Sequence, residues 1–304
     1  MLYDNFILTD DKFLQPTYRI SPFRTNDLVK NRGMRYSDHI DEYFTKRFNN
    51  KKYIYTISGR EALNKALKQL KLEKDDIVTI FTTSGNFYIS GCVTKEIEKF
   101  CFWSRKIENN TKVLLVNHEF GFPYEGLSKL LNYKLPIIED CAHSFISQNQ
   151  EHTVGKIGDY VIYSLPKFFP IQFGGILVSN RNSGTYQDIS IEEEKYLKAV
   201  LSYYINDIEK IKAKRSLNYK YLEDELIKIK FTPRFLLKDT YCPGAYLFRT
   251  EDVDLDELKI YLQNHGVECS VFYGEETFFI PVNQSLEHND IDYFLSLIKS
   301  FINK

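Results

Sequence analysis

A chain of 304 residues with 43% hydrophobic and 27% charged residues and a formal net charge of -1 has the balance of a soluble globular protein. It is long enough for two domains of ordinary size sharing a cleft. Near-neutrality argues against wholesale nucleic-acid binding, which leaves a basic footprint, and no run approaches the roughly 18 apolar residues of a membrane span.

Residues 1 to 35 are broken by Pro16, Pro22 and Gly33 and read as an arm or entry segment. Its first stretch, MLYDNFILTDDKF, carries acids among its apolar positions and no basic region leading into an apolar one, so no signal peptide is expected. From Tyr36 the apolar positions Ile40, Tyr43, Phe44 and Phe48 recur at helical spacing. A short β-rich run, Tyr53 to Ile57, then feeds Ser58-Gly59-Arg60 and a helix with Ala62, Leu63, Ala66, Leu67 and Leu70 on one face. The unpaired amides of that helix start could hold an anion, or Ser58 could be a simple N-cap beside a turn glycine. Strands follow at Ile77 to Phe81 and Lys112 to Val116, with a polar loop, Thr82 to Asn86, then Phe87-Tyr88-Ile89, between them, and Glu125 to Leu131 looks helical. Strand and helix alternating at this spacing is the mark of a mostly parallel sheet.

The stretch from Leu135 to Ser179 holds two apolar runs of the kind that form strands covered on both faces. One ends at Glu139-Asp140 and leads to Cys141-Ala142-His143; the other ends at Ser164, with Lys167 just beyond. Ligands of open α/β sheets collect outside the carboxyl ends of such strands, so Asp140, His143, Ser164 and Lys167 mark a candidate cofactor site. Taken singly, Asp140 could be an N-cap, His143 a core histidine, Phe87 core filler and Lys167 a solvated charge. After residue 180 the texture changes: a long charged helical tract from 190 to 229, an apolar run at 244–248, a helix at 255–265, a strand near 268–272 and a last helix at 290–302. Residues 1–180 therefore read as a large α/β domain with an N-terminal arm, and 181–304 as a smaller α+β domain. The five cysteines, Cys92, Cys101, Cys141, Cys242 and Cys269, are scattered and odd in number. A disulfide framework or metal site is not expected, and a reducing cytoplasm is the simpler compartment.

A series of motifs in fixed order resembles the DegT/DnrJ/StrS-type nucleotide-sugar aminotransferases, which depend on pyridoxal 5'-phosphate (PLP). Ser58-Gly59-Arg60-Glu61-Ala62-Leu63 is similar to the family's S-G-T-x-A-L turn, and Asp75-Asp76-Ile77-Val78 to its G-D-x-V. Val116 to Gly121 is similar to V-H-x-Y-G, Glu139 to His143 to E-D-x-A-H, Gly155 to Asp159 to G-x-x-G-D, and Tyr163 through Lys167 to Gly174-Gly175 to the lysine segment. The resemblance implies an aspartate aminotransferase-like fold with a mostly parallel sheet and a smaller α+β domain. It implies that Lys167 carries PLP as a Schiff base and shuttles a proton, and that Asp140 pairs with the pyridinium nitrogen. His143 would lie by the ring's phenolic oxygen and Phe87 would stack on its face. Ser164 with the amides of Gly59, Arg60 and Glu61 would hold the phosphate.

Two departures stand out. The Ser164-to-Lys167 spacing is shorter than the family's, with Phe168 in place of the usual Asn, and the G-Y-N-x-R segment that reaches the neighbouring subunit's cofactor is missing. The expected function is transfer of an amino group from an amino acid, expected to be glutamate, to a keto sugar, nucleotide-linked, in glycan or polysaccharide biosynthesis, by a cytoplasmic homodimer. The alternatives are a family-derived binding or regulatory subunit without transaminase activity, or a PLP enzyme of another reaction type.

Overall fold

The computed structural model describes residues 16–179 and 189–303. They fall into two compact units, the larger holding residues 23–179, 189–208 and 240–242, the smaller residues 16–22, 209–239 and 243–303.

The larger unit opens with α1 (Thr25–Arg32) and α2 (His39–Arg47) and then builds a seven-stranded sheet. Its strands are β1 (Lys52–Thr56), β2 (Ile77–Thr82), β3 (Phe102–Ser104), β4 (Thr111–Asn117), β5 (Ile137–Asp140), β6 (Tyr160–Ser164) and β7 (Gly175–Ser179). They lie in the order β1-β7-β6-β5-β4-β2-β3. β3, β2, β4, β5 and β6 pair in parallel, and β7 runs antiparallel to both β6 and β1. The helices α3 (Gly59–Leu70), α4 (Gly91–Ile97) and α5 (Ile191–Tyr204) complete this unit.

The uniform apolar runs have a direct cause. Side chains alternate across a strand, and here both faces are covered. Val113 and Leu115 of β4 join a cluster with Ala62, Leu63, Ala66 and Leu67 of α3 and Val93 and Ile97 of α4. Leu114 and Val116 join a second cluster with Ile137, Leu127 and Leu130. Leu63 and Leu67 are fully buried, and each such side chain contributes about 1.5–3 kcal/mol. α3 begins where the Ser58 Oγ accepts from the Glu61 amide at 3.2 Å, and ends at Lys71 in the left-handed region.

Several expectations change in detail. The segment expected to be helical from Glu125 forms a 3-10 helix over Leu127–Tyr133. The charged tract after 190 is two helices, α5 and α6 (Ile208–Ile227), joined by a 3-10 turn at Ile205–Asp207. The strand β3 and helix α4 carry no strong pattern and were not expected. Of the arm, residues 1–15 lie outside the described residues; the rest includes α1 and a bridge from Tyr18 to Val267.

The smaller unit has an antiparallel sheet, β8 (Thr232–Pro233), β9 (Tyr246–Arg249), β10 (Ser270–Phe272) and β11 (Thr277–Ile280), in the order β10-β11-β9-β8. With it go most of α6, α7 (Leu255–Asn264) and α8 (His288–Ile302). Tyr219 of α6 packs 4.7 Å from the Tyr246 ring, and its hydroxyl donates to the Phe235 carbonyl at 2.6 Å. Among the described residues no helix is long and apolar enough to cross a membrane.

Candidate active site

Because β1, β4, β5 and β6 run the same way and β7 runs opposite, the ends of the first four and the start of β7 meet along one edge. Thr56 pairs with Gly175, Gly175 with Ser164, and Asn117 with Asp140. Two glycines let the backbones close up here. A Cβ on Gly175 would fall 2.5 Å from the Ser58 carbonyl carbon and 2.7 Å from the Gly59 nitrogen; one on Gly59 would fall 3.0 Å from the Ser164 Cβ. The first turn of α3 therefore sits directly over β7 and against the end of β6.

A cavity of about 510 Å³ opens at this edge, lined among others by Ser58, Gly59, Arg60, Asn117, His118, Asp140, His143, Ser164 and Lys167. The structure thus brings together most of the residues singled out from sequence. The other two stand apart. The Glu61 amide is turned to the Ser58 hydroxyl as the helix cap. Phe87 is 71% exposed, packs 6.1 Å from the Trp103 ring and does not line this cavity. Its loop is held at the base: Arg105 Nη2 donates to Thr82 Oγ1 at 2.9 Å and to the Asn86 carbonyl at 2.7 Å. Glu119 accepts from the Ser84 amide and hydroxyl at 2.6 and 3.1 Å.

Lys167 closes a 3-10 turn, Leu165–Lys167, that leaves β6 directly. What anchors the shortened turn is aromatic. Phe168 and Phe169 are fully buried, with ring centroids 5.0 and 4.9 Å from that of Phe145. The Phe that replaces the family's Asn therefore serves as an anchor, with Lys167 left lining the cavity.

Asp140 is 5% exposed. Its Oδ2 accepts from Asn117 Nδ2 at 3.2 Å and its Oδ1 from the Ala142 amide at 3.0 Å. Burial pushes this carboxyl above its ordinary range, against the opposing pull of the Ala142 amide and the nearby His118 ring. A buried carboxyl served by neutral donors is the environment that a protonated ring nitrogen would complement. The donor set fits PLP in this respect: Asp140 for the ring nitrogen, an amine at Lys167, and helix-start amides with a hydroxyl for a phosphate.

Sequence reasoning missed Asn117, whose amide holds Asp140, and the buried pair beneath it. His118 Nδ1 accepts from the Tyr124 amide at 3.1 Å, so the ring proton sits on Nε2, 3.4 Å from Glu139 Oε2. Glu139 also accepts from the amides of Gly155 and Gly158. His118, Glu139 and Cys141 bring ligand-type atoms within 4.8 Å of one another, but these hydrogen bonds use the carboxylate and imidazole to tie the 153–158 loop to the sheet. The motifs flagged the histidine and the acid; that they face each other needs the fold.

The described residues form an α/β protein with a mostly parallel seven-stranded sheet and a site at its strand ends, the architecture of PLP-dependent transferases. A family model of PLP-dependent aminotransferases matches residues 40–231, well over half of the chain, and the protein belongs to that family. It is a PLP-dependent aminotransferase.

Solved structures agree on the fold. The aminotransferase TlmJ from Streptoalloteichus hindustanus superposes with a TM-score of 0.75 at 14% identity, covering 94% of this chain and 99% of that one. A DegT DnrJ EryC1 StrS aminotransferase from Brucella abortus gives 0.67 at 14%, covering 92% and 94%. 3-Amino-5-hydroxybenzoic acid synthase gives 0.70 at 12%, covering 95% and 100%. No curated relative matches by sequence.

Proposed function

We propose that this aminotransferase moves an amino group from an amino acid, glutamate being the first candidate, to a keto sugar, carried on a nucleotide, within glycan assembly. What supports the reading most is the convergence of Asp140, Lys167, Ser164 and the α3 start on one cavity, in a fold shared with sugar aminotransferases. PLP, when bound, supplies an electron sink that makes a proton on the substrate carbon labile.

The chain's own residues then have distinct tasks. The Lys167 amine anchors the cofactor and moves the substrate proton. Asp140, oriented by Asn117 and Ala142, keeps the ring nitrogen protonated. His143, with its ring 5.0 Å from that of Phe120, is assigned to the phenolic-oxygen side. Ser164 and the amides of Gly59 and Arg60 take the phosphate. For Phe87 to cover the ring it must leave Trp103 and turn inward on its loop. A homodimer completes the reading, placed in a reducing cytoplasm, with which the thiol forms of Cys92, Cys101, Cys141, Cys242 and Cys269 accord.

The test is an absorption spectrum with PLP, before and after glutamate, for wild type and Lys167→Ala. A covalent PLP band in the wild type that glutamate bleaches, and that the variant lacks, is the expected result. No such band in the wild type would overturn the reading in favour of a binding subunit.

A further inference from the structure

Arg60 stands where the related motif has a threonine, and its guanidinium is left with an unusually weak partner. Nη2 donates to Cys92 Sγ at 2.9 Å, and a thiol is a poor acceptor. Among the described residues no carboxylate lies within ion-pair distance of this guanidinium. The acid whose charge bears on it, Glu96, is already taken by Asn64 and by Lys99, whose Nζ lies 2.7 Å from Oε2. The charge also sits in the first turn of α3, where a cation opposes the helix dipole. Arg60 is exposed and could leave such a charge to water, yet it also lines the cavity that holds Lys167, Ser164 and Asp140.

Charge balance sharpens the point. Of the residues lining the cavity, Arg60 and Lys167 are the cationic ones, and on the function proposed above Lys167 is consumed in anchoring the cofactor. A phosphate dianion and an amino-acid carboxylate both have to be accommodated, and a planar guanidinium is the side chain suited to grip either one with two parallel hydrogen bonds. We propose that the Arg60 guanidinium is the oxyanion anchor of this cavity, exchanging the Cys92 sulfur for an oxyanion of a bound molecule, either the phosphate of the cofactor or the carboxylate of the amino donor. Cys92 then holds the guanidinium rotamer seen here, and the pair is a recognition element on the α3–α4 side of the site.

The experiment compares wild type, Arg60→Met and Arg60→Lys, each first checked for an unchanged melting temperature, by titration calorimetry. The probes are inorganic phosphate, PLP, pyridoxal without the phosphate, and succinate added to the PLP-loaded protein. A loss of tenfold or more in Arg60→Met for inorganic phosphate and PLP, with pyridoxal unchanged, assigns the guanidinium to the phosphate. A comparable loss for succinate alone assigns it to the donor carboxylate. In both cases Arg60→Lys should recover part of the affinity, because it restores charge without the fork. Wild-type affinity of Arg60→Met for all the probes overturns the proposal. If the wild type binds neither PLP nor pyridoxal, the cofactor reading fails by itself, and the inorganic phosphate arm still decides whether Arg60 holds an oxyanion.

Discussion

Replacing Asp140 with Asn should move cofactor affinity and apo-protein stability in opposite directions. The carboxyl is buried, accepts from Asn117 Nδ2 at 3.2 Å and from the Ala142 amide at 3.0 Å, and burial raises its pKa. A raised pKa in the folded state means that the native protein holds the proton more tightly than the unfolded chain does. Ionisation therefore costs native stability as pH climbs from the unfolded-chain carboxyl range through the raised folded-state pKa, and the whole penalty is present only above the latter. Asparagine carries no charge and can still accept from Ala142, with the Asn117 amide turned about to face it. The apo variant should melt at or above the wild-type temperature near pH 7, and the difference should close at acidic pH where Asp140 is itself protonated. Toward PLP the sign reverses, because a hydrogen bond to a charged partner is worth about 1.5–3 kcal/mol, or roughly a 10- to 100-fold weaker Kd. Absorbance titration with PLP and calorimetry of the apo-protein across pH measure both halves. An Asn variant that melts lower at neutral pH yet binds PLP as the wild type does would refute this account of Asp140 and make it a structural residue.

Two further substitutions probe the frame around the cavity. Gly175→Ala places a methyl 2.5 Å from the Ser58 carbonyl carbon, where only backbone could give way. It should cost about 1–3 kcal/mol of stability and weaken PLP binding with it; urea unfolding and PLP titration check this, and a wild-type midpoint would contradict the close packing of α3 on β7. Glu139→Gln turns an amide donor toward one of the Gly155 and Gly158 N–H groups that the carboxylate now accepts. A buried donor left unsatisfied costs about 1–3 kcal/mol, readable as a lower denaturant midpoint, whereas an unchanged midpoint would mean that the loop is held by other contacts.

The central strands were legible because physics writes them twice. β2, β4, β5 and β6 are largely buried on both faces, so their runs are mostly apolar and stand out from the polar loops between them. β3, three residues at the sheet edge with Phe102 62% exposed, has no such pressure on its composition. The tract after 190 read as one helix because nothing in its sequence, neither Gly nor Pro, marks the break at Ile205–Asp207.

The sequence by itself determined the chemistry on offer: an acid, a histidine, a serine and a lysine at the ends of buried strands, a helix start with Ser-Gly, and motifs that name a cofactor. Only the tertiary structure decided which of these share a cavity. The resemblance assigns Phe87 and Glu61 to the site as it does Asp140, yet the Phe87 ring packs on Trp103 and the Glu61 amide caps α3. Asn117, unremarkable in sequence, becomes the donor to Asp140 because β4 and β5 pair in parallel and in register at Asn117 and Asp140. Local sequence sets what a strand end can do. Register and close backbone approach, set by the whole sheet, settle what it does it to.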